Sequence, residues 1–305
     1  MLTGFLDRPA IREAFRAHAV RPTLTAQQRS APLLVPSATA KASTVGTAFS
    51  YLARFRTARD VVRDLPGGGV TVWDGGWIAE RSLAEMEAHP RFSGFHRRWA
   101  RITASARVLL DDFVAGRETS MDRVARCCQC LGALDLLARI GDFNAAFVPR
   151  DDVQTELLAL DRIFDPVALL RPQHTCVLNP VFAAGEAIGG VDADLLVDGR
   201  ITGIRTTATA AVSAHHLRQL AGHAVLLAAG GVSLTDGSLC MDPPETVGVY
   251  FSRHALLVSW PLATLFPGSG FARFSDVFRT EMETAAGEAA RPPSPRTQPS
   301  AGSQG

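Results

Sequence analysis

Two aspartates and one arginine lie close together in the C-terminal half of the chain. Residues 189–207 read GGVDADLLVDGRITGIRTT, so Asp192 and Asp194 precede a DGR turn and Arg205 follows it. We predict two strands, over 191–197 and 201–207, that pair as an antiparallel hairpin through this turn. Carboxylates held in this way can bind a divalent cation, and a guanidinium beside them can bind a phosphate group.

Alternation of side chains along a strand predicts which residues would share a face. On the first strand, one face would carry Asp192, Asp194, Leu196 and Asp198, and the core-facing side would carry Ala193, Leu195 and Val197. On the second strand, one face would carry Ile201, Gly203, Arg205 and Thr207. The acids and the arginine would therefore meet near a sheet edge.

The elements around this pair follow from apolar spacing and turn residues. Helical spacing predicts helices over 8–18, 46–62, 79–88, 96–115, 120–140, 151–163, 213–229 and 272–287. Short β-rich runs predict strands over 175–182, 191–197, 201–207, 246–252 and 255–262. This order predicts an α/β protein with a mixed sheet and a crossover helix, preceded by a mostly helical N-terminal region.

The same pattern predicts four regions along the chain. Residues 1–45 would form an N-terminal helix and a linker, and 46–168 a helical region whose segment 46–64 belongs with the sheet. Residues 170–288 would form the α/β core, and 289–305 a disordered tail rich in Pro, Ser, Gln and Gly.

Composition limits the classes of function. The chain has 305 residues, 47% of them apolar, and a net charge of +1, so a site for a polyanion must be a local patch. Its five cysteines are odd in number and irregularly spaced, which does not indicate a disulfide framework. We find neither a secretory signal pattern nor an uncharged apolar run of about 18 residues, and expect a cytoplasmic protein without membrane segments.

Several motifs, taken in order, resemble the PD-(D/E)XK nuclease superfamily, particularly its RecB-like branch. GGVDADLLVDG resembles the first acidic strand, ITGIRTT occupies the place of an acid-x-Lys strand, and QLAGH that of a helical Gln-x-x-x-Tyr. VGTAFSYLARF at 45–55 resembles the opening helix, and VGVYFSRHALLVSWPL at 247–262 the closing hairpin. The resemblance covers roughly 46–64 and 175–265 and implies a mixed-sheet nuclease core.

Active members hydrolyse phosphodiesters with Mg²⁺ or Mn²⁺ held by two carboxylates, beside a lysine that positions water. The resemblance assigns the first acid to Asp192 or Asp194 and the helix glutamine to Gln219. It places Gly203 where the second acid belongs and Arg205 where the lysine belongs, while His223 replaces the tyrosine. Glycine supplies no ligand, and arginine stays protonated and cannot act as a base.

We therefore expect a catalytically degenerate nuclease-like protein that retains weak nucleic-acid binding and has a weak or lost metal site at Asp192 and Asp194. One alternative is an active deoxyribonuclease that uses Mg²⁺ or Mn²⁺, with these two acids and a relocated acid such as Glu186. A second alternative is a non-enzymatic protein-interaction module, whose partner is a protein and which needs no cofactor.

Other candidate residues leave two interpretations each. Trp73 and Trp77 in VWDGGWIAE could stack on unpaired bases or pack in a loop between helices. The arginines of FHRRWARITASAR could form a basic patch or a solvated helix face; they are Arg97, Arg98, Arg101 and Arg107. His215, His216 and His223 could bind zinc or line the surface, and Cys127, Cys128 and Cys130 could bind a cluster or be buried free thiols.

Overall fold

The structure is a computed structural model that describes residues 2–39, 42–64, 70–141, 143–144, 146–234, 237–239 and 241–289. Its helices are α1 (Leu2–Leu6), α2 (Pro9–His18), α3 (Ala26–Arg29), α4 (Ala42–Asp64), α5 (Ile78–Ala88), α6 (Ser93–Val114), α7 (Met121–Ile140), α8 (Asp151–Ile163), α9 (Pro166–Leu170), α10 (Ala214–Gly230), α11 (Leu262–Leu265) and α12 (Gly270–Ala289). All eight predicted helices are confirmed, with small shifts at their ends. The predicted tail lies outside the described residues from 290 onward.

The strands are β1 (Thr71–Asp74), β2 (Thr175–Leu178), β3 (Val181–Phe182), β4 (Leu195–Val197), β5 (Arg200–Arg205), β6 (Val232–Leu234), β7 (Gly237–Leu239), β8 (Thr246–Phe251) and β9 (Leu256–Pro261). Six of them form a mixed sheet in the order β1-β2-β4-β5-β8-β9. The pairs β1/β2 and β5/β8 are parallel, and the other three pairs are antiparallel. The predicted α/β class with a mixed sheet is confirmed.

Helix α10 connects β5 to the parallel strand β8, as a parallel pair requires a crossover. Its first turn is fixed by a capping box, in which the Ser213 hydroxyl accepts the backbone N–H of His216 at 3.1 Å. Its apolar side chains, among them Leu217 and Leu220, pack with Leu196 and Ile201 of the hairpin. The crossover places Gln219 and His223 beside the ends of β4 and β5.

Both faces of the sheet are covered, which corrects the predicted strand faces. Leu195, Val197 and Ile204 point into a core shared with the helices of the N-terminal half. Leu196 and Ile201 point into a second core, shared with α10, α12 and the first two helices. The prediction that Leu196 lies on a polar face is wrong, because helices on both sides leave no solvated face for β4.

The stretch 31–39, predicted as part of a linker, is held against the fold. The side chain of Arg253, of which 1% is exposed, donates to the backbone carbonyl of Val35 at 3.1 Å. Glu156 on α8 accepts the backbone N–H groups of Ala38 at 2.9 Å and Thr39 at 3.3 Å. These bonds hold residues 35–39 against α8 and Arg253.

Candidate functional site

A cleft of about 480 Å³ opens where α4, α7 and α10 meet the ends of β4 and β5. We call it the polar cleft. Its lining residues are Ala42, Ser43, Gly46, Thr47, Ser50, Arg54, Asp135, Arg139, Asp192, Ala193, Asp194, Gly203, Ile204, Arg205, Thr206, Thr207, Gln219, Leu220 and His223. All the site residues predicted from the nuclease-like motifs therefore lie together: Asp192, Asp194, Gly203, Arg205, Gln219 and His223.

The two acids precede β4 rather than alternating along it. Strand β4 begins at Leu195, and the segment before it is held by backbone bonds, such as that from Ala193 N to the carbonyl of Pro180 at 3.0 Å. Both carboxylates still face the cleft. Asp198, predicted on the same face, lies instead in the turn, where its carboxylate accepts the backbone N–H of Thr175 at 2.8 Å.

Asp192 is paired with an arginine that the sequence did not point to. Arg139 Nη2 on α7 donates to Asp192 Oδ2 at 3.0 Å, and its Nε donates to Asp135 Oδ2 at 3.2 Å. One guanidinium thus bridges two carboxylates. The negative charge of Asp192 raises the pKa of Arg139, so this cation is fixed in the cleft.

Asp135, the second carboxylate bonded to Arg139, is fully buried. The Tyr51 hydroxyl donates to Asp135 Oδ1 at 2.6 Å, and accepts the backbone N–H of Ala79 at 3.2 Å. Burial raises the pKa of Asp135, while the charge of Arg139 acts in the opposite direction. Both oxygens of this carboxylate are therefore engaged by protein donors.

Asp194 and Gly203 lie across from each other on the hairpin. Asp194 Oδ2 accepts the backbone N–H of Ile204 at 2.8 Å. A Cβ built on Gly203 would lie 3.8 Å from both Arg205 Nη2 and a methyl group of Leu220, an ordinary packing distance. The side chain missing at position 203 would thus project toward the guanidinium in the cleft, where the second acid of a nuclease site is expected.

Arg205 is held by neutral acceptors. Its Nη2 donates to Gln219 Oε1 at 2.6 Å, and its Nη1 donates to the carbonyl of Ile204 at 2.9 Å. Burial lowers the pKa of Arg205, although the charge of Asp194 acts against that shift. A guanidinium remains protonated in proteins, so Arg205 presents a positive charge to the cleft that no carboxylate neutralises through a hydrogen bond within the described residues.

His223 leaves hydrogen-bonding capacity unused. Its side chain is buried, with 4% exposure, and packs on Phe182 at 5.3 Å between ring centroids. Neither ring nitrogen has a hydrogen-bond partner in the described part of the chain. Burial lowers the pKa of His223 to about 4, so the ring is neutral near pH 7 and has one donor and one acceptor free.

The opening turns of α4 form the opposite wall of the cleft. Ser43, Thr47 and Ser50 contribute hydroxyl groups, and the N-terminal end of this helix carries the positive end of its dipole. Arg54 lies one turn after Ser50, with its guanidinium 4.5 Å from the centroid of the Tyr51 ring. Its Nε donates to the backbone carbonyl of Ser50 at 3.1 Å, another neutral acceptor.

These residues do not fit the divalent metal that the nuclease resemblance implies. Such a cation needs several free oxygens, but Asp192 is bonded to Arg139, one oxygen of Asp194 is bonded to a backbone N–H, and Gly203 has none. Among the described residues, no group of three or more His, Cys, Asp or Glu side chains is placed to hold a metal. Glu186 is exposed in a 3₁₀ helix (Ala183–Ile188) and does not line the cleft.

No family model, curated protein or solved structure matches this chain. Family membership is therefore a proposal that depends on the order of the elements and on the residues of the polar cleft. Separately, none of the helices in the described ranges combines the length and the apolar character that a membrane span requires.

Sequence reasoning missed the contribution of α7 to the cleft. Gly132, Asp135 and Arg139 lie at i, i+3 and i+7, and therefore on one face of this helix. A Cβ on Gly132 would lie only 3.1 Å from the backbone N of Ala48, so the glycine allows α7 to approach α4 closely. The available signal was an isolated Asp–Arg pair at i, i+4 inside the apolar run LGALDLLARI.

Proposed function

We propose that this chain is a degenerate PD-(D/E)XK-like protein that binds a nucleic-acid backbone in the polar cleft without hydrolysing it. The order of its elements supports the family assignment. Helix α4 is followed by the antiparallel strands β2, β4 and β5, then by the crossover helix α10 and the parallel strand β8. The resemblance implies this arrangement of opening helix, acidic hairpin, crossover helix and closing hairpin.

The observation that carries the proposed loss of hydrolysis is the bond from Arg139 to Asp192 at 3.0 Å. A guanidinium placed on the first acid supplies the positive charge that a metal would otherwise supply. It has no vacant coordination position for water, and Gly203 provides no second ligand. Because Arg205 stays protonated, it cannot accept the proton of an attacking water.

Binding of a phosphate is supported by the groups that remain incompletely paired. Arg205 and Arg54 have only neutral acceptors among their hydrogen bonds, and His223 has a free donor. Arginine is well suited to bidentate contact with phosphate oxygens. The cleft also holds three aspartates against three arginines, so its formal charges balance and we expect weak binding that depends on salt.

Fluorescence anisotropy of labelled DNA tests this proposal. In EDTA the native chain should bind DNA, and binding should weaken as salt rises. Arg205→Ala should lower affinity about tenfold and reduce the salt slope by about 1, because one phosphate contact is lost. Arg279→Ala is the matched control, since this exposed arginine pairs with Asp276 on α12, away from the cleft.

A cleavage assay with Mg²⁺ and Mn²⁺ completes the test. We expect no cleavage of single- or double-stranded DNA. Cleavage that Asp192→Ala abolishes would contradict the degenerate assignment and support the active nuclease. An absence of DNA binding, with Arg205→Ala indistinguishable from the native chain, would contradict the binding function and support a protein-interaction module.

A further inference from the structure

A groove of about 660 Å³ lies between the N-terminal stretch 21–33 and the loop 208–212, which precedes α10. We call it the arginine groove, because its charged lining residues are Arg21 and Arg29. Among the described residues, no Asp or Glu lines it. The chain as a whole carries a net charge of only +1, so a polyanion needs a local basic patch to bind. The arginine groove is such a patch.

Both guanidinium groups of the arginine groove have neutral acceptors. Arg21 Nη2 donates to the backbone carbonyl of Val212 at 2.8 Å, and Arg29 Nη1 donates to the backbone carbonyl of Leu24. Neither arginine forms an ion pair with a described residue. The polar cleft, in contrast, balances three arginines with three aspartates. A guanidinium has five N–H donors, so each arginine of the groove keeps its charge and several donors available for an anion such as phosphate.

The two walls of the arginine groove are fixed by hydrogen bonds. The bond from Arg21 to Val212 connects one wall with the other. His254, in a short 3₁₀ helix (Ser252–His254), points its Nδ1 at the backbone carbonyls of Ala31 at 3.2 Å and Pro32 at 3.0 Å. A carbonyl only accepts, so this ring nitrogen donates and holds the N-terminal stretch in place. Because the walls are already ordered, little conformational freedom is lost when a ligand binds.

The arginine groove borders the polar cleft along one loop. Thr206 and Thr207 line the polar cleft, and the next residues, Ala208 and Thr209, line the arginine groove. Successive Cα atoms are only about 3.8 Å apart, so the two cavities meet at this loop. The sequence from 200 to 230 contains no Asp or Glu, so this stretch places no carboxylate between them. A polyanion bound at Arg205 therefore has the arginine groove immediately beside it.

We infer that the arginine groove binds further backbone phosphates of the same nucleic-acid strand whose phosphate lies in the polar cleft, so that the strand crosses the loop at 206–209. This inference rests on the proposed function and specifies the path of its ligand. A nucleic-acid strand carries a charge at every nucleotide and can occupy both cavities, whereas a free phosphate fills only one. Once the first phosphate is bound, the second contact is intramolecular and strengthens binding.

The first test measures the affinity of a fluorescein-labelled oligothymidylate as a function of salt. Arg21→Ala combined with Arg29→Ala should weaken binding at least about tenfold and reduce the salt slope by about 2, because about one phosphate contact is lost with each arginine. The matched control is Arg97→Ala combined with Arg101→Ala. It removes the same charge from exposed positions of α6 that line neither cavity, and it should leave affinity and slope unchanged.

Two measurements on the native chain need no variant to fold. Amide hydrogen exchange should slow in residues 21–33 and 208–212 when the oligothymidylate binds. Unlabelled polyglutamate of equal length should displace the oligothymidylate at least about tenfold less well than unlabelled oligothymidylate does, because arginine pairs bidentately with the phosphates of a strand that spans both cavities. Equal displacement would overturn the inference and assign the arginine groove to an acidic peptide.

The outcomes separate this inference from the proposed function. A double variant at Arg21 and Arg29 that binds as tightly as the native chain would overturn the inference, and so would unchanged exchange in both stretches. If Arg205→Ala still weakens binding in that case, the proposed function stands without the arginine groove. If only the double variant weakens binding and Arg205→Ala does not, the strand does not occupy the polar cleft, and both proposals are overturned. An absence of any binding also overturns both.

Discussion

Two groups of arginine and carboxylate side chains lie next to each other and share Thr206 as a neighbour, yet they differ in how fully their polar atoms are paired. In the first group, Arg253 donates to Thr206 O at 3.3 Å, to Val35 O at 3.1 Å and to the Glu156 carboxylate. In the polar cleft, Arg205 has only neutral acceptors, and the two ring nitrogens of His223 have no partner among the described residues.

This difference in pairing distinguishes a structural ion pair from a candidate binding site. The side chains of Arg253 and Glu156 are each 1% exposed, and every nitrogen of the guanidinium donates to a protein acceptor. Nothing is left for a ligand, and the network fixes residues 31–39. The polar cleft keeps unused donors beside open volume, which is the arrangement that a phosphate-bearing ligand would complete.

The largest effect should come from breaking the buried Arg253–Glu156 ion pair. Glu156→Gln keeps the shape of the side chain and removes its charge, which leaves the Arg253 cation buried without a counter-ion. We expect a loss of about 3 kcal/mol in the free energy of unfolding. Urea denaturation monitored by circular dichroism measures this loss.

Arg126→Ala is the control for that experiment, because Arg126 pairs with Asp151 on the surface at 2.6 Å. Its loss should cost about 0–1 kcal/mol. If both variants lost the same free energy of unfolding, the buried Arg253–Glu156 pair would not differ from an ordinary surface pair.

Three substitutions together should turn the polar cleft into a metal site. Gly203→Asp with Arg205→Lys restores the acid-x-Lys pattern, and the Cβ fits at 3.8 Å from its nearest neighbours. Arg139 should still occupy Asp192, so this double variant should bind Mn²⁺ poorly. Adding Arg139→Gln should tighten Mn²⁺ binding at least tenfold, which is about 1.4 kcal/mol. Isothermal titration calorimetry measures the affinity.

Arg139→Gln alone is the control, because it removes the cation without adding a ligand. Any DNA cleavage gained by the triple variant should be sensitive to EDTA. If the double variant binds Mn²⁺ as tightly as the triple variant, Arg139 does not block the site, and the assigned reason for the loss of hydrolysis is wrong.

The sequence predicted the eight longer helices because their signals are local, but it did not predict strands β1, β6 and β7. Helix α10 follows from apolar spacing, and the hairpin β4–β5 from the DGR turn. Local order also sufficed to bring Asp192, Gly203 and Gln219 into one cleft. The burial of both faces of β4 was missed, because period-two alternation does not reveal helices that arrive from distant parts of the chain.

The long-range part of the site could not be predicted. Arg139 lies 53 residues before Asp192, and their contact depends on the close approach of α4 and α7 at Gly132. A single guanidinium donating to two carboxylates has no periodic signature in sequence. The role of Arg253 was hidden for the same reason, since its partner Glu156 lies 97 residues away.

The smallest effect should come from replacing Asp198, whose carboxylate is hydrogen-bonded by backbone N–H groups. It accepts the N–H groups of Gln173 at 2.6 Å, His174 at 2.9 Å and Thr175 at 2.8 Å. Burial acts to raise the pKa of Asp198, but these bonds together outweigh it and lower the pKa below its usual range. Its φ of 47° is one that asparagine also tolerates, so Asp198→Asn removes the charge without backbone strain.

Because the folded-state pKa of Asp198 is lowered, its stabilising contribution is present above the unfolded value of about 3.9 and is lost as pH falls through the folded value. Asp198→Asn should therefore cost about 1 kcal/mol at pH 7, and the gap to the native chain should close below about pH 4. Urea denaturation across this pH range measures the gap, with Asp276→Asn on the exposed face of α12 as the control. A gap that stays constant with pH would mean that shape, and not charge, holds the turn. Asp198 would then stabilise the fold through its shape, whereas Glu156 stabilises it through its charge.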